Sequence, residues 1–424
     1  MSDEPQTPPA ANRSAKSAPR GLLFLLLLTA LLAAAWFLLD RRHRPALLAG
    51  PMVQFCDDGR SFRIVWQARE WGSPAATWHE QPLAVPEPVL TGPASLPLPE
   101  RRGHSVDYAI ANRGFLGRRI ELARASATRN DAPVLRFLAF GDSGNGSNTQ
   151  RALAELMIAT RPDLVIHTGD VIYPAGAAED YERNFFEPYR ELLARVPFMP
   201  SLGNHDVATA RGQPYLDVFA LPRNGPPGVE PERNYSFDYG PARFVALDTN
   251  RASEHGAISE ADMRDKVAPW LRSVLSAAGN RWKFVFFHHP PYTGSTHPAE
   301  AQAFVKRVFV PVLDECGVNI VFCGHNHLYE RTRPLRGDQI VPSGQGTVYI
   351  VTGAGGVSRY PEKLPPPDYM EYFNADVFSF TQVDLSPAKL ELTQIDERGN
   401  AIDRLTLERD TAVAASAVGG HPAR

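Results

Sequence analysis

Between residues 134 and 327 an apolar run leads five times straight into metal-capable residues, and this recurrence constrains the fold more than any other feature. VLRFLAF ends in Gly141-Asp142. DLVIHTG ends in Asp170, with Tyr173 shortly after. VPFMPSL ends in Gly203-Asn204-His205-Asp206, WKFVFF in His288-His289, and NIVFC in Gly324-His325-Asn326-His327. Continuous apolar runs are the mark of central strands buried on both faces. TQRALAELMIAT, lying between the first two runs, has helical spacing, which predicts a strand–helix–strand unit with a right-handed crossover. In open α/β sheets, ligands gather outside the carboxyl ends of the strands. The five clusters should therefore converge on one rim. Glycine directly precedes Asp142, Asp170, Asn204 and His325, where it permits sharp turns and close approach.

Taken singly, each cluster has an ordinary explanation. A Gly-Asp after a strand is commonly a turn, a His pair is commonly a surface or core pair, and a lone tyrosine commonly packs. Their joint occurrence at consecutive strand ends is different, because partly buried polar groups cost free energy unless they are satisfied. Carboxylate, amide and imidazole donors without thiolate suit Fe, Mn or Zn. Seven donors exceed one tetrahedral zinc but suit two ions sharing a carboxylate, the arrangement commonly used for phosphoryl hydrolysis.

The rest of the composition narrows the options. Of 424 residues, 43% are hydrophobic and 21% charged, which describes an ordinary globular chain of two or three domains. Lys and Arg number 44 against 47 Asp and Glu, a net charge of −3, so nothing points to nucleic acid as a partner. The three cysteines, Cys56, Cys316 and Cys323, exclude a disulfide scaffold and a cysteine zinc cluster. Cys316 and Cys323 flank an apolar strand and are expected in the core.

At the amino end, residues 1–20 read as a disordered tail. Residues 21–39, GLLFLLLLTALLAAAWFLL, carry no charge and are long enough to span a bilayer, as a retained anchor or a signal segment. Either predicts a catalytic domain outside the cytoplasm, periplasmic or extracellular. SFRIVWQA, ATWHE, HSVDYAIAN and RRIELARA predict a small β-sandwich-like domain over residues 46–128, or a β-rich arm packed on the next domain. Helices are expected near residues 181–193, 260–277 and 299–315, a terminal hairpin in KLELTQID-ERGN-AIDRLTLE, and a frayed tail over 409–424.

GDSG, GDVIY, GNHD, FFHHPPY and GHNHLYER resemble, in order, the five motifs of the calcineurin-like metallophosphoesterases, and more specifically those of purple acid phosphatases. The resemblance covers residues 134 to 408. NYSFDYGPARFVALDT and GTVYIVTGAGG resemble framework strands of the family, and the stretch 46–128 is similar in position to the fibronectin-III-like domain of larger members. The resemblance implies an α/β fold, a four-layer α/β/β/α sandwich of two mixed sheets flanked by helices, over residues 131–408. General family members carry Asp-x-His in the first motif. Here Asp142 is followed by Ser143 and Gly144, while Tyr173 sits at the position of the purple acid phosphatase tyrosinate.

The resemblance then implies that Asp142, Asp170, Tyr173 and His327 hold Fe(III). Asp170 would bridge to a divalent metal (Fe, Zn or Mn), completed by Asn204, His288 and His325. In the pattern H-x-P-x-Y, His288 aligns with the ligand and His289 with a variable position. His205 is implied to contact phosphate or to protonate the leaving group. His297 resembles an outer histidine of plant members, Asp206 stands where glutamate is common, and Tyr329, Glu330 and Arg331 match framework positions. The implied activity is hydrolysis of phosphate monoesters by attack of a metal-bound hydroxide. The alternatives are a phosphodiesterase using the same dinuclear site and a membrane-anchored binding module with an inactive phosphatase fold.

Overall fold

The computed structural model describes residues 20–43, 46–59, 61–69, 76–83, 105–113, 119–128, 134–295, 299–360 and 365–409. Residues 20–43 form a helix, with described side chains from Phe24 to Trp36. Among the described residues, no helix is long and apolar enough to cross a membrane. The spanning segment expected at 21–39 is thus not supported, and the side chains of 21–23 and 37–39 lie outside the described residues. Residues 1–19 and 410–424, expected as tails, also lie outside them.

Five strands come first: β1 (Ala46–Phe55), β2 (Phe62–Arg69), β3 (Ala76–Leu83), β4 (Ser105–Arg113) and β5 (Arg119–Thr128). β1, β2 and β3 make an antiparallel sheet, and β4 pairs with β5. The last four match the expected β-rich segments. β1 was hidden in sequence by Gly50-Pro51, which sits at a break in register between Ala49 and Met52. These strands pack against residues 194–237. Phe55 stacks on Phe237 at 4.6 Å, buried Gln54 accepts from the Ala220 N–H at 2.7 Å, and the Tyr108 hydroxyl donates to the Ala194 carbonyl at 2.8 Å.

Beyond them lie two mixed sheets. One contains β6 (Leu135–Phe140), β7 (Leu164–His167), β8 (Phe198–Pro200) and three later strands. The other contains β9 (Tyr235–Tyr239), β10 (Ala242–Ala246), β11 (Trp282–Phe286), β12 (Ile320–Cys323) and β13 (Tyr329–Thr332). After a short ribbon of β14 (Leu335–Arg336) and β15 (Gln339–Ile340) come β16 (Val348–Thr352), β17 (Met370–Asn374), β18 (Ser379–Leu385), β19 (Lys389–Asp396) and β20 (Ala401–Glu408). The first sheet runs β20-β19-β18-β6-β7-β8 and the second β17-β13-β16-β12-β11-β10-β9. Their centres are parallel: β6 with β7 with β8, and β10 with β11 with β12 with β16.

The period-2 geometry of a strand explains why these runs are apolar throughout. Phe244, Phe284, Phe286, Ile320, Phe322 and Ile350 point into the core shared with the first sheet. Their neighbours Val245, Val285, Phe287, Val321, Cys323 and Val351 point the other way, into a second core with Leu271, Phe304 and Phe309 of the helices Ala268–Ser276 and Ala299–Glu315. Phe137 of β6 meets Phe244, Phe284 and Phe322 at 5.2, 5.1 and 5.9 Å, so the two sheets pack face to face. On the first sheet the helix Asn148–Ala159 buries Leu153, Ala154 and Met157, and its start is capped by Ser147, whose Oγ accepts the Gln150 N–H at 3.1 Å. The helix expected near 181–193 is a succession of short turns ending in the helix Glu187–Leu193, and the one near 260–277 is interrupted by a wider turn at 263–267.

Candidate metal centre

The two sheets bring their strand ends to a common rim. Asp142 follows β6, Asp170 follows β7, Asn204 opens the helix after β8, His288 follows β11, and His325 and His327 follow β12. Asp142, Asp170 and His325 adopt positive φ of 58°, 53° and 70°, a conformation uncommon outside glycine that aims each side chain inward. Gly203 is needed for proximity, since a Cβ there would stand 2.1 Å from the Asp170 backbone nitrogen.

The donor atoms meet. The Tyr173 hydroxyl donates to Asp170 Oδ2 at 2.8 Å and lies 3.3 Å from Asp142 Oδ1 and 3.0 Å from His327 Nε2. His327 Nε2 is 3.5 Å from Asp142 Oδ1. On the other side, Asn204 Oδ1 is 2.8 Å from His288 Nε2 and 2.9 Å from His325 Nδ1. His288 Nε2 is 3.3 Å from Asp170 Oδ2, which places Asp170 between the two groups. The seven sequence-derived donors therefore stand together, while His297 lies outside the described residues.

Orientation is set from behind. The Nδ1–H of His288 donates to the Thr168 carbonyl at 3.0 Å, leaving Nε2 free to act as a donor atom toward a cation. Buried Asp206 accepts the backbone N–H groups of Val171 at 2.9 Å, Ile172 at 3.1 Å and Gly203 at 2.9 Å, so one carboxylate ties the loop of Asp170 to that of Asn204. His205 donates from Nδ1 to the Pro174 carbonyl. Its ring lies 4.2 Å from that of Tyr173, and its side chain is 37% exposed.

The electrostatics call for positive charge. Asp142 and Asp170 are buried, and their charges draw a proton onto His288. Burial opposes charge on that imidazole, yet Asp170 and Asp142 push it up to about 9. Burial would raise the Asp170 carboxyl, but His288 and His205 outweigh it and hold the group well below the usual carboxylate range. Burial, Asp170 and Asp142 together drive the Tyr173 phenol far up, so a phenolate here needs a cation beside it. Oxygen and imidazole donors around two buried carboxylates fit a pair of metal ions. Among the described residues, Asp142, Asp170 and His288 form one cluster with donor atoms within 4.8 Å of one another, and His288, His289 and His325 form another.

His289, at the variable position of H-x-P-x-Y, stands beside the donor groups. Its ring is buried, 4.7 Å from that of His325, and its Nδ1 is 2.9 Å from Thr249 Oγ1. Cys316 and Cys323 are buried in the helix-side core. Tyr329 and Arg331 both reach Asp403 of β20, the hydroxyl at 2.8 Å and the guanidinium at 2.6 and 2.9 Å. Glu330 accepts from the Thr293 hydroxyl and the Gly294 N–H.

Residues 135–329 match the calcineurin-like phosphoesterase family model. An uncharacterized protein of Mycobacterium tuberculosis is 26% identical over 289 residues, covering 56% of this chain and 54% of that protein. Purple acid phosphatase 15 of Arabidopsis thaliana is 30% identical over 275 residues, covering 55% and 49%. The chain thus spans about half the length of these two curated relatives. The structure of purple acid phosphatase PPD1 from yellow lupin (Lupinus luteus) seeds shares the fold, with a TM-score of 0.66 at 17% identity, covering 90% of this chain and 77% of that one. Residues 135–329 thus match a calcineurin-like phosphoesterase domain, and the chain is similar to purple acid phosphatases in sequence and to the lupin protein in fold.

Proposed function

We propose that this chain hydrolyses phosphate monoesters at a dinuclear metal centre. Asp142, Asp170, Tyr173 and His327 hold one metal, Asn204, His288 and His325 hold the other, and Asp170 is shared. The observation that carries this is the meeting of seven donors from two sheets around buried carboxylates. When bound, such a pair neutralises phosphate oxygens and supplies hydroxide near neutral pH. A phenolate from Tyr173 is a hard donor, which supports Fe(III) in the first position and a divalent Fe, Zn or Mn in the second.

The chain's own groups do the rest. A carbonyl can only accept, so the bond from His205 to Pro174 places a proton on Nδ1 and leaves Nε2 as the atom that exchanges protons with a substrate. From a partly exposed position over Tyr173, the imidazolium form of His205, protonated at Nε2 as well as Nδ1, would give its Nε2 proton to the departing alkoxide and keep the Nδ1–H on Pro174. Asp206 holds the Asp170 and Asn204 loops in fixed relation during turnover.

We further propose that the amino-terminal helix tethers the domain to a membrane, with the catalytic part outside the cytoplasm. Phe24, Leu25, Leu26, Leu31 and Leu32 are 57–69% exposed, an apolar surface that lipid would cover. A phosphate-release assay on monoester and diester substrates, run beside metal analysis of the full chain in detergent, tests the activity. Monoester turnover dependent on two bound metals is expected. Preference for the diester, or turnover without metal, would overturn the assignment. Tyr173→Phe should abolish a visible tyrosinate–iron band, and a colourless wild type loaded with two zinc ions would overturn the ferric assignment.

A further inference from the structure

The segment Gly353-Ala354-Gly355-Gly356-Val357-Ser358-Arg359-Tyr360 leaves β16 and runs along the rim between the two sheets. Its backbone is fastened to both. The N–H of Gly355 donates to the Gly141 carbonyl at 3.1 Å and that of Val357 to the Asp142 carbonyl at 3.3 Å. The N–H of Gly353 donates to Leu328 at 3.2 Å and that of Tyr360 to His327 at 3.3 Å. A Cβ at Gly355 would stand 2.1 Å from the Gly141 carbonyl oxygen, so this approach requires glycine. The strap therefore joins the carboxylate end of one sheet to the imidazole end of the other.

Its last residues close on His327 from two directions. Ser358 Oγ lies 2.6 Å from His327 Nδ1. The Tyr360 ring is parallel to the imidazole, with centroids 4.3 Å apart and planes 11° apart. For Nε2 to act as a metal donor, Nδ1 must carry the ring proton, and Ser358 Oγ is the acceptor in place for it. The hydrogen bond fixes the tautomer and the stack fixes the plane. Together they aim Nε2 at Tyr173 and Asp142.

We propose that Ser358 and Tyr360 are positioning residues that hold His327 for the first metal, an inference that rests on the dinuclear assignment above. Neither belongs to the strand-end motifs. Outer partners of this kind typically change metal affinity about 10–100-fold when removed.

The test uses the full chain in detergent, loaded with zinc, with transfer of zinc to a chromogenic chelator followed in time. In Ser358→Ala and Tyr360→Ala one of two zinc ions should leave about 10–100-fold faster while the other keeps its wild-type rate. Ser358→Thr and Tyr360→Phe, which keep the hydroxyl and the stack, should release both ions as wild type does. The unfolding midpoint of the metal-free forms should match wild type throughout. Unchanged zinc release in both alanine variants overturns the inference. So does equal acceleration of both ions with a lowered metal-free midpoint, which would mark a merely structural strap. A wild type that binds fewer than two zinc ions overturns the dinuclear assignment itself, and this inference with it.

Discussion

Asp206→Asn is a near-isosteric change whose cost can be worked out bond by bond. In the native protein Oδ1 accepts the N–H groups of Val171 and Ile172, and Oδ2 accepts that of Gly203. An asparagine keeps one oxygen. Turned to serve Val171 and Ile172, it presents its NH₂ to the Gly203 N–H, donor against donor in a fully buried setting. The loss is one hydrogen bond together with an unsatisfied buried N–H, about 2–4 kcal/mol. Asp206→Ala strands all three donors and should cost more, about 3–6 kcal/mol. Because those donors belong to the loops of Asp170 and Asn204, the loss should also appear as weaker metal retention. Denaturant unfolding of the metal-loaded chain, with metal content measured on the same samples, gives both readouts. The expected order of stability is wild type, then Asn, then Ala, with metal retention in the same order. If asparagine is as stable as wild type and binds metal as well, Asp206 is not the tie between the loops.

Three more outcomes are expected from other contacts. Asp403→Ala leaves the buried Arg331 guanidinium unpaired and should destabilise the protein by about 3–5 kcal/mol, with turnover per folded molecule retained, as urea unfolding and activity of the folded fraction would show. In metal-free protein His288 binds its proton more tightly than in the unfolded chain. Its stabilisation is complete below pH 6.5 and is lost as pH rises through about 9, a loss of about 3 kcal/mol at ~1.4 kcal/mol per pH unit. Thermal midpoints of chelator-treated protein should therefore fall between pH 6.5 and 9, while metal-loaded protein, whose cation replaces that proton, should keep its midpoint across that range. His205→Gln should slow release of poor leaving groups by roughly 100-fold or more with metal content unchanged, and should slow good leaving groups much less; equal slowing of both would exclude proton donation.

Most of the candidate centre was legible because its donor residues follow strand ends. A long apolar run identifies a central strand, and the residue after it must lie at the sheet rim, so Asp142, Asp170, His288 and His325 could be placed from local sequence. The residues behind them could not. The contacts from Ser358 to His327 and from Asp206 to Val171 and Ile172 join loops 31 and about 35 residues apart, and no local periodicity encodes such pairings. His289 aligns with the variable position of H-x-P-x-Y, and its nearness to His325 arises from the pairing of β11 with β12. β13, β17 and β18 escaped notice because they carry polar residues such as Glu330, Arg331 and Gln382, which are satisfied by partners elsewhere or face outward. The amino-terminal β-rich stretch showed its strands but not its docking, which depends on Gln54, Phe55 and Tyr108 meeting residues far along the chain.

Asp170 lies between the two donor groups, so it bears most directly on whether the centre is dinuclear. Bound metal and monoester turnover should be measured together for wild type and Asp170→Asn. Two metals per chain are expected in wild type, with fewer than two in the variant and turnover reduced by roughly two orders of magnitude or more. A variant with wild-type metal content and wild-type turnover would contradict the shared-carboxylate centre.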